Sequence, residues 1–345
     1  MTAALSPPRL ARHVTCSGAR VYTLTLDAFP HLSVNVFLVV IGERDVPSYT
    51  ALIDTGSSQS GSTEGLMAGL AAVREQWGER WSWDTLSRIV ITHAHLDHVA
   101  GLPFVRALTN APVAAHRVAA PTIQNPQAAR EAAVLGVEEE LRWAGIGGDE
   151  YAARMRKRAG HLMLPVGVAV ETVLQGGERL DGHFGVIHTP GHAGGQVCLQ
   201  LDDVLLSADH LLPHNSPPLR AERAQPWGGL AHYLASLDRI AALDGVTLAL
   251  GSHGGPMTDW RGRLRQLRER NAHKLQAVLD ASDRPLTVRE LTLKLYPRLN
   301  PVQALLLLDQ TGALVEELVR RGQLEEGKGE RDTEGMWPSV FRRIP

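Results

Sequence analysis

Apolar runs broken by short polar and Pro- or Gly-containing stretches dominate residues 20–56. "RVYTLTLDA" (20–28), "SVNVFLVVIG" (33–42) and "YTALID" (49–54) are rich in β-branched residues and bounded by Pro30, Gly42, Pro47 and Gly56, which predicts three successive strands. The pattern then changes. In "STEGLMAGLAAVREQWG" Ser62 can cap a helix, Leu66, Leu70 and Val73 share one face, and Gly78 ends it. "LSRIVIT" returns to a short strand, "GLPFVRAL" reads as a helix and "PVAAH" as a strand, a βα alternation that suits a layered α/β fold. Residues 125–162 are helical in character. Strands follow in "VAVETVL", "FGVIHTPG", "QVCLQL" and "DVLLSAD", so the pattern predicts helices outside two sheets.

From Trp260 the pattern is helical again, with Leu264, Leu267, Leu275 and Val278 on one stripe. Thr287 and Glu290 form a capping-box pair, and Asn300-Pro301 suits the start of a further helix that Gly322 ends. Strand-like pieces between 324 and 341 suit a hairpin. Helices followed by a hairpin predict a small winged-helix domain over 259–335, behind a catalytic domain over 1–258.

Composition narrows the class without choosing a partner. A chain of 345 residues, 44% hydrophobic and 21% charged, has ample core, and a net charge of -2 gives no overall pull toward nucleic acid or an anionic membrane. Cys16 and Cys198 are too few for a disulfide framework, and neither a signal sequence nor a spanning segment is apparent. A cytoplasmic protein is expected.

The candidate chemistry lies in "ITHAHLDHVAG", residues 91–101, where His93, His95, Asp97 and His98 crowd the end of a strand. Their nitrogen and oxygen donors suit divalent metals, and alternation along an extended segment would point His93, His95 and Asp97 the same way. Further ligands are expected where apolar strands run into Gly- or Pro-rich turns: His192 in "HTPGHAGGQ", Asp209 in "LLSADHLLP" and His253 in "LALGSHGGP".

This HxHxDH motif, followed by His, Asp and His in order over residues 54–255, resembles the metallo-β-lactamase superfamily. The resemblance implies an αββα sandwich with a dinuclear metal site. It implies that His93, His95 and His192 hold one metal, that Asp97, His98 and His253 hold the other, and that Asp209 bridges. "LIDTG" also matches, with Asp54 supporting the motif loop from beneath. Ala208 stands where glycine commonly precedes the bridging aspartate, and Ser252 where glycine often precedes the last histidine. The C-terminal helices and hairpin look like the winged-helix appendage of one branch.

Two Zn²⁺ ions are the expected cofactor, with iron or manganese as alternatives. A hydroxide shared by two such ions would attack the substrate, with Asp97 managing its proton. A small acyl substrate (ester, thioester or lactone) is expected. A phosphodiesterase or endoribonuclease, and a metal-bound sensor or nucleic-acid-binding protein, are the alternatives. Residues 256–345 carry 16 Lys and Arg against 13 Asp and Glu, leaving 19 against 24 for the rest, which disfavours a basic track to the metals. The arginines of 261–270 argue the other way.

His214 in "LLPHNSPP" is expected at the pocket rim as a substrate contact. His31, His210 and Tyr233 are candidate pocket residues, whereas His116 and His188 are expected to be hydrogen-bonded structural groups. The run Arg154, Arg156, Lys157 and Arg158 reads as a solvated helix face. The 125–162 stretch is expected as a wall or lid at the mouth. A homodimer is possible.

Overall fold

The computed structural model describes residues 9–147, 150–161, 164–298, 301–331, 335 and 337–344. Its first sheet runs β1 (Arg9–Val14), β2 (Arg20–Phe29), β3 (Leu32–Gly42), β4 (Pro47–Ile53), β5 (Arg88–Ile91), β6 (Val113–His116) and β7 (Thr172–Leu174), in that spatial order. Strands β1 to β4 are antiparallel, and β4 to β7 are parallel. The second sheet has the order β12-β11-β10-β9-β8, from β8 (Arg179–Leu180), β9 (Phe184–His188), β10 (Val197–Leu201), β11 (Val204–Ala208) and β12 (Leu248–Gly251).

Alternation sorts each strand between two cores. In β3, Phe37 and Val39 face a core shared with Phe184, Val197, Leu199 and Leu206 of the second sheet. Val34, Val36, Leu38 and Val40 face the opposite way, toward Leu66, Leu70 and Val73 of α1 (Ser60–Trp77). The outer face of the second sheet, with Cys198, Leu205 and Ala249, packs on α7 (Leu230–Ala241) and α8 (Trp260–Ala281). The result is helix, sheet, sheet, helix, as the strand and helix periods predict.

Strand β1 lies outside the sequence expectation. Its "RLARHV" is largely exposed at the sheet edge and has no apolar alternation to mark it.

Two helices from the 125–162 stretch, α5 (Pro126–Ala144) and α6 (Glu150–His161), pack toward the C-terminal elements instead of standing alone as a lid. Val137, Leu141, Trp143 and Met155 join one core with Val288, Leu291, Leu314 and Phe341. Those residues belong to α9 (Val288–Leu295), α10 (Pro301–Arg320) and a two-stranded antiparallel hairpin of β13 (Leu324–Lys328) and β14 (Ser339–Arg343). The capping box of Thr287 and Glu290 forms as expected. Asn300 and Leu162 lie outside the described residues. Among the described residues, no helix is long and apolar enough to cross a membrane.

Candidate metal centre

The parallel strands β4 and β5 end beside each other, and the next residues of both turn into the site. Asp54, directly after β4, takes a left-handed backbone (φ 62°) that turns its carboxylate beneath the next strand's end. There it accepts hydrogen bonds from the Thr92 backbone N–H and the Thr92 hydroxyl, each at 2.8 Å, and from His98 Nδ1 at 2.9 Å. Gly101 closes the same junction: a Cβ there would lie 2.2 Å from the Thr55 carbonyl oxygen.

The motif is not extended throughout. His95 is the N-cap of a one-turn helix α2 (Leu96–Val99), so about 100° separates successive side chains beyond it. This corrects the alternation argument. His93 and His95 converge with His192, while Asp97 and His98 converge with His253, and a third overlapping group joins His93, His98 and Asp209. Within each group the donor atoms lie within 4.8 Å of one another. Asp209 faces both sides: Oδ2 is 3.4 Å from His192 Nε2, and Oδ1 is 3.4 Å from His253 Nε2 and 3.6 Å from His98 Nε2.

Hydrogen bonds on the far ring nitrogens orient the donors. His192 Nδ1 donates to the Pro218 carbonyl at 2.7 Å, and His253 Nδ1 to the Ser33 carbonyl at 2.6 Å. With His98 Nδ1 on Asp54, all three rings keep an Nε2 lone pair for the centre. His95 instead turns Nδ1 inward, 3.1 Å from His93 Nε2.

Buried but unpartnered atoms test whether a cation fits. His98 Nε2, His192 Nε2 and Asp209 Oδ1 have no hydrogen-bond partner although they face one another. An arrangement of histidine nitrogens and carboxylate oxygens in this state suits a divalent metal. Charge agrees. Burial disfavours a charged His98, but Asp97, Asp209 and Asp54 outweigh it and raise its pKa well above the usual range. Burial likewise opposes a charged His253, yet the neighbouring carboxylates of Asp209 and Asp97 push it up to about 10. Burial, followed by neighbouring histidines, lowers His93, and lowers His95 to about 3. The carboxylates therefore demand positive charge here, which protons meet when no metal does.

The other expected residues separate clearly. His214 is exposed, and its ring lies 3.9 Å from where a Cβ on Gly254 would stand, beside the His253 loop. His31 lines an open cavity of about 510 Å³ with Arg9, Ser33, Gln59 and Ser60, and Ser33 links this cavity to His253. Tyr233 is buried and donates to the His210 carbonyl, and the His210 ring is buried against it. His116 and His188 bond to the carbonyls of Gln175 and Gly194, as structural histidines should.

Sequence reasoning missed the two carbonyls that orient His192 and His253, since any residue supplies a carbonyl. It also missed what holds Pro218. In the 211–229 loop, Glu316 of α10 accepts from the backbone N–H of Glu222 and Arg223, Arg220 pairs with Glu140 of α5, and buried Arg263 of α8 donates to the Leu212 and Asn215 carbonyls.

Two facing sheets flanked by helices, with a histidine–carboxylate cluster at one edge, define a two-sheet sandwich with a candidate metal site. Residues 30–275 match the model of the metallo-beta-lactamase superfamily, and the chain belongs to that superfamily. It is similar to the metallo-beta-lactamase family protein TTHA1429 from Thermus thermophilus, at 26% identity and a TM-score of 0.70, over 94% of this chain and 98% of that one. It is also similar to a beta-lactamase domain protein from Burkholderia ambifaria, at 20% identity and a TM-score of 0.75, over 96% and 93% of the two chains. No curated protein matches it.

Proposed function

We propose that the protein is a dinuclear metal-dependent hydrolase of a small acyl substrate: an ester, thioester or lactone. The observation that carries this is Asp209, whose two oxygens divide between His192 on one side and His98 with His253 on the other. A carboxylate so placed suits two cations held by His93, His95 and His192, and by Asp97, His98 and His253. Zinc is the cation we assign. When bound, the pair supplies Lewis acidity that activates water and polarises the acyl carbonyl.

The chain's own residues do the rest. Asp97, half-buried with its carboxylate 3.3 Å from His253, is positioned to take the proton of the attacking water. Asp54 holds His98 and Thr92 so that the motif loop keeps its shape. The cavity lined by His31 and Ser33 offers room for the acyl and leaving groups, and His214, beside Gly254 of the His253 loop, is assigned as a further substrate contact.

An acyl substrate is favoured over nucleic acid because most of the arginines in α8 and in the 154–158 run are engaged by other groups of the chain. In α8, Arg261, Arg263 and Arg270 donate to backbone carbonyls, and Arg268 pairs with Asp238. Arg154, Arg156 and Arg158 pair with Glu150, Glu138 and Asp309. We assign α8 to α10 and the β13–β14 hairpin to a winged-helix module whose role is packing against α5 and the 211–229 loop. Free Cys16 and Cys198 fit a cytoplasmic setting.

A screen of acyl thioesters, lactones and aryl esters, run beside single-stranded RNA and phosphodiesters at matched metal loading, tests the reading. Metal-dependent turnover of an acyl substrate is expected. Turnover confined to phosphodiesters would replace this reading with the nuclease one.

A further inference from the structure

Beside the metal centre, along the same edge of the sandwich, lies an aromatic cluster that the proposed chemistry does not use. His116 ends β6 and His188 ends β9, one strand from each sheet, and their rings stack at 3.8 Å with a 17° interplanar angle. Burial lowers His116 to about 4 and also lowers His188, so both rings are neutral at physiological pH. Trp227 stands edge-on to His188 at 6.0 Å and tilted to His232 at 5.3 Å, and the Arg117 guanidinium lies 5.6 Å from its ring centroid.

Two observations set Trp227 apart from a packing residue, and a third concerns its neighbour Arg117. The Trp227 backbone is in the left-handed region (φ 65°), which a bulky side chain rarely adopts and which clusters at ligand clamps. The residue is nevertheless 39% exposed, so the strained backbone does not serve to bury it. Arg117 is exposed and has no carboxylate partner among the described residues, although Glu222 is close enough to pair with His232.

The segment is also tied to a metal ligand's loop. Gly228 bridges to Gly191, the Gln225 side chain donates to the His192 carbonyl at 3.4 Å, and a Cβ on Gly194 would strike the Pro226 carbonyl at 2.2 Å and meet Trp227 Cβ at 3.2 Å. One residue along the chain on each side of the Gly228–Gly191 bridge, plus the spacing between paired strands, keeps the Trp227 and His192 backbones within roughly 12 Å of each other, about the length of a two-ring molecule.

We propose that Trp227 and Arg117 form a subsite that binds an aromatic ring carrying an anionic group. The indole offers a flat apolar surface, the guanidinium supplies the charge for the anion, and Arg239, whose side chain donates to the His188 carbonyl, adds positive potential at the same edge. The subsite rests on the hydrolase reading only in making that ring part of a substrate. Its occupancy is testable without turnover.

The test uses the metal-loaded full chain and naphthalene-2-sulfonate, a weak metal ligand, with neutral methyl 2-naphthyl sulfone as the control for charge. Titration calorimetry should show the sulfonate binding at least about tenfold more tightly than the sulfone, which corresponds to about 1.4 kcal/mol. Arg117→Met should erase that preference. Trp227→Gly should weaken both probes about tenfold while Tm holds or rises, because glycine relieves the left-handed strain. Unchanged sulfonate affinity in either variant overturns the subsite. A lowered Tm with unchanged affinity would give the indole a packing role instead. Failure of the acyl screen with these losses intact would leave the subsite standing and remove only the hydrolase reading.

Discussion

The two halves of the metal centre are held by different means. On the motif side, a buried carboxylate, Asp54, grips Thr92 and His98 from within the same sheet. On the other side, His192 and His253 are oriented by backbone carbonyls, from Pro218 in a loop and from Ser33 at the start of β3. The first arrangement brings its own charge and depends on neighbours within one sheet. The second is mixed: the Pro218 loop behind His192 depends on packing from α5, α8 and α10, far along the chain, while His253 leans on β3. The motif side and His253 are held from the first sheet, and His192 alone borrows its order from the C-terminal elements.

If that contrast is right, Asp54→Ala should do the greatest damage. It removes three accepted hydrogen bonds and a negative charge in one step, and leaves the Nδ1–H of buried His98 without an acceptor. Loss of a group supporting a ligand typically costs about 10–100-fold in metal affinity, and the upper end is expected here. Metal titration followed by elemental analysis would measure it. Affinity within about twofold of the parent would show that the motif loop holds itself.

Glu316→Gln probes the borrowed order of His192. Its carboxylate accepts from the Glu222 and Arg223 backbones at 2.6 and 3.2 Å, and an amide keeps one acceptor oxygen and no charge. A loss of about 1.4 kcal/mol passed through Pro218 to His192 would weaken metal binding about tenfold at the His192 side alone. Two-step titration should show one affinity falling and the other held. Equal weakening of both, or of neither, would mean that the loop does not transmit order to one ligand set.

A smaller effect concerns protons. In the metal-free protein, His253 is raised to about 10 and His98 well above its usual range, so both are charged at neutral pH. A metal must displace those protons, so binding releases them and its affinity rises with pH up to about 10. Calorimetry in buffers of different ionisation enthalpy would detect the release. No buffer dependence at about pH 7 would show that the ligands are already neutral.

The same contrast decides what was legible in the sequence. Strands β2 to β4 were legible as apolar, β-branched runs bounded by Pro and Gly, and helix α1 because it buries one face at period 3.6. The cluster at 93–98 was legible because its donors are side chains in a row. Its division between two groups came from the family resemblance and not from periodicity, since the helical turn at Leu96–Val99 is too short to leave a periodic signal and makes Asp97 and His98 act together. Edge strand β1 lacked a buried face, and the supporting carbonyls lacked any residue signature.

Ala208→Gly should have the smallest effect, and its smallness is informative. Ala208 precedes Asp209 with φ 47°, in the left-handed region, which costs a non-glycine residue roughly 1–2 kcal/mol. Glycine would relieve that strain. Against the gain stand the greater unfolded-chain freedom of glycine, about 0.5–1 kcal/mol, and the loss of a fully buried methyl, about 0.8 kcal/mol. The opposing terms nearly cancel, so stability should change by less than about 1 kcal/mol and metal content not at all. This balance explains how alanine can occupy a position where the backbone favours glycine. Ala208→Val adds branching at the same φ and should displace Asp209, lowering Tm and metal content together. A large stabilisation in the glycine variant, read from thermal unfolding, would mean that the methyl contributes little packing and that the strain is carried for another reason.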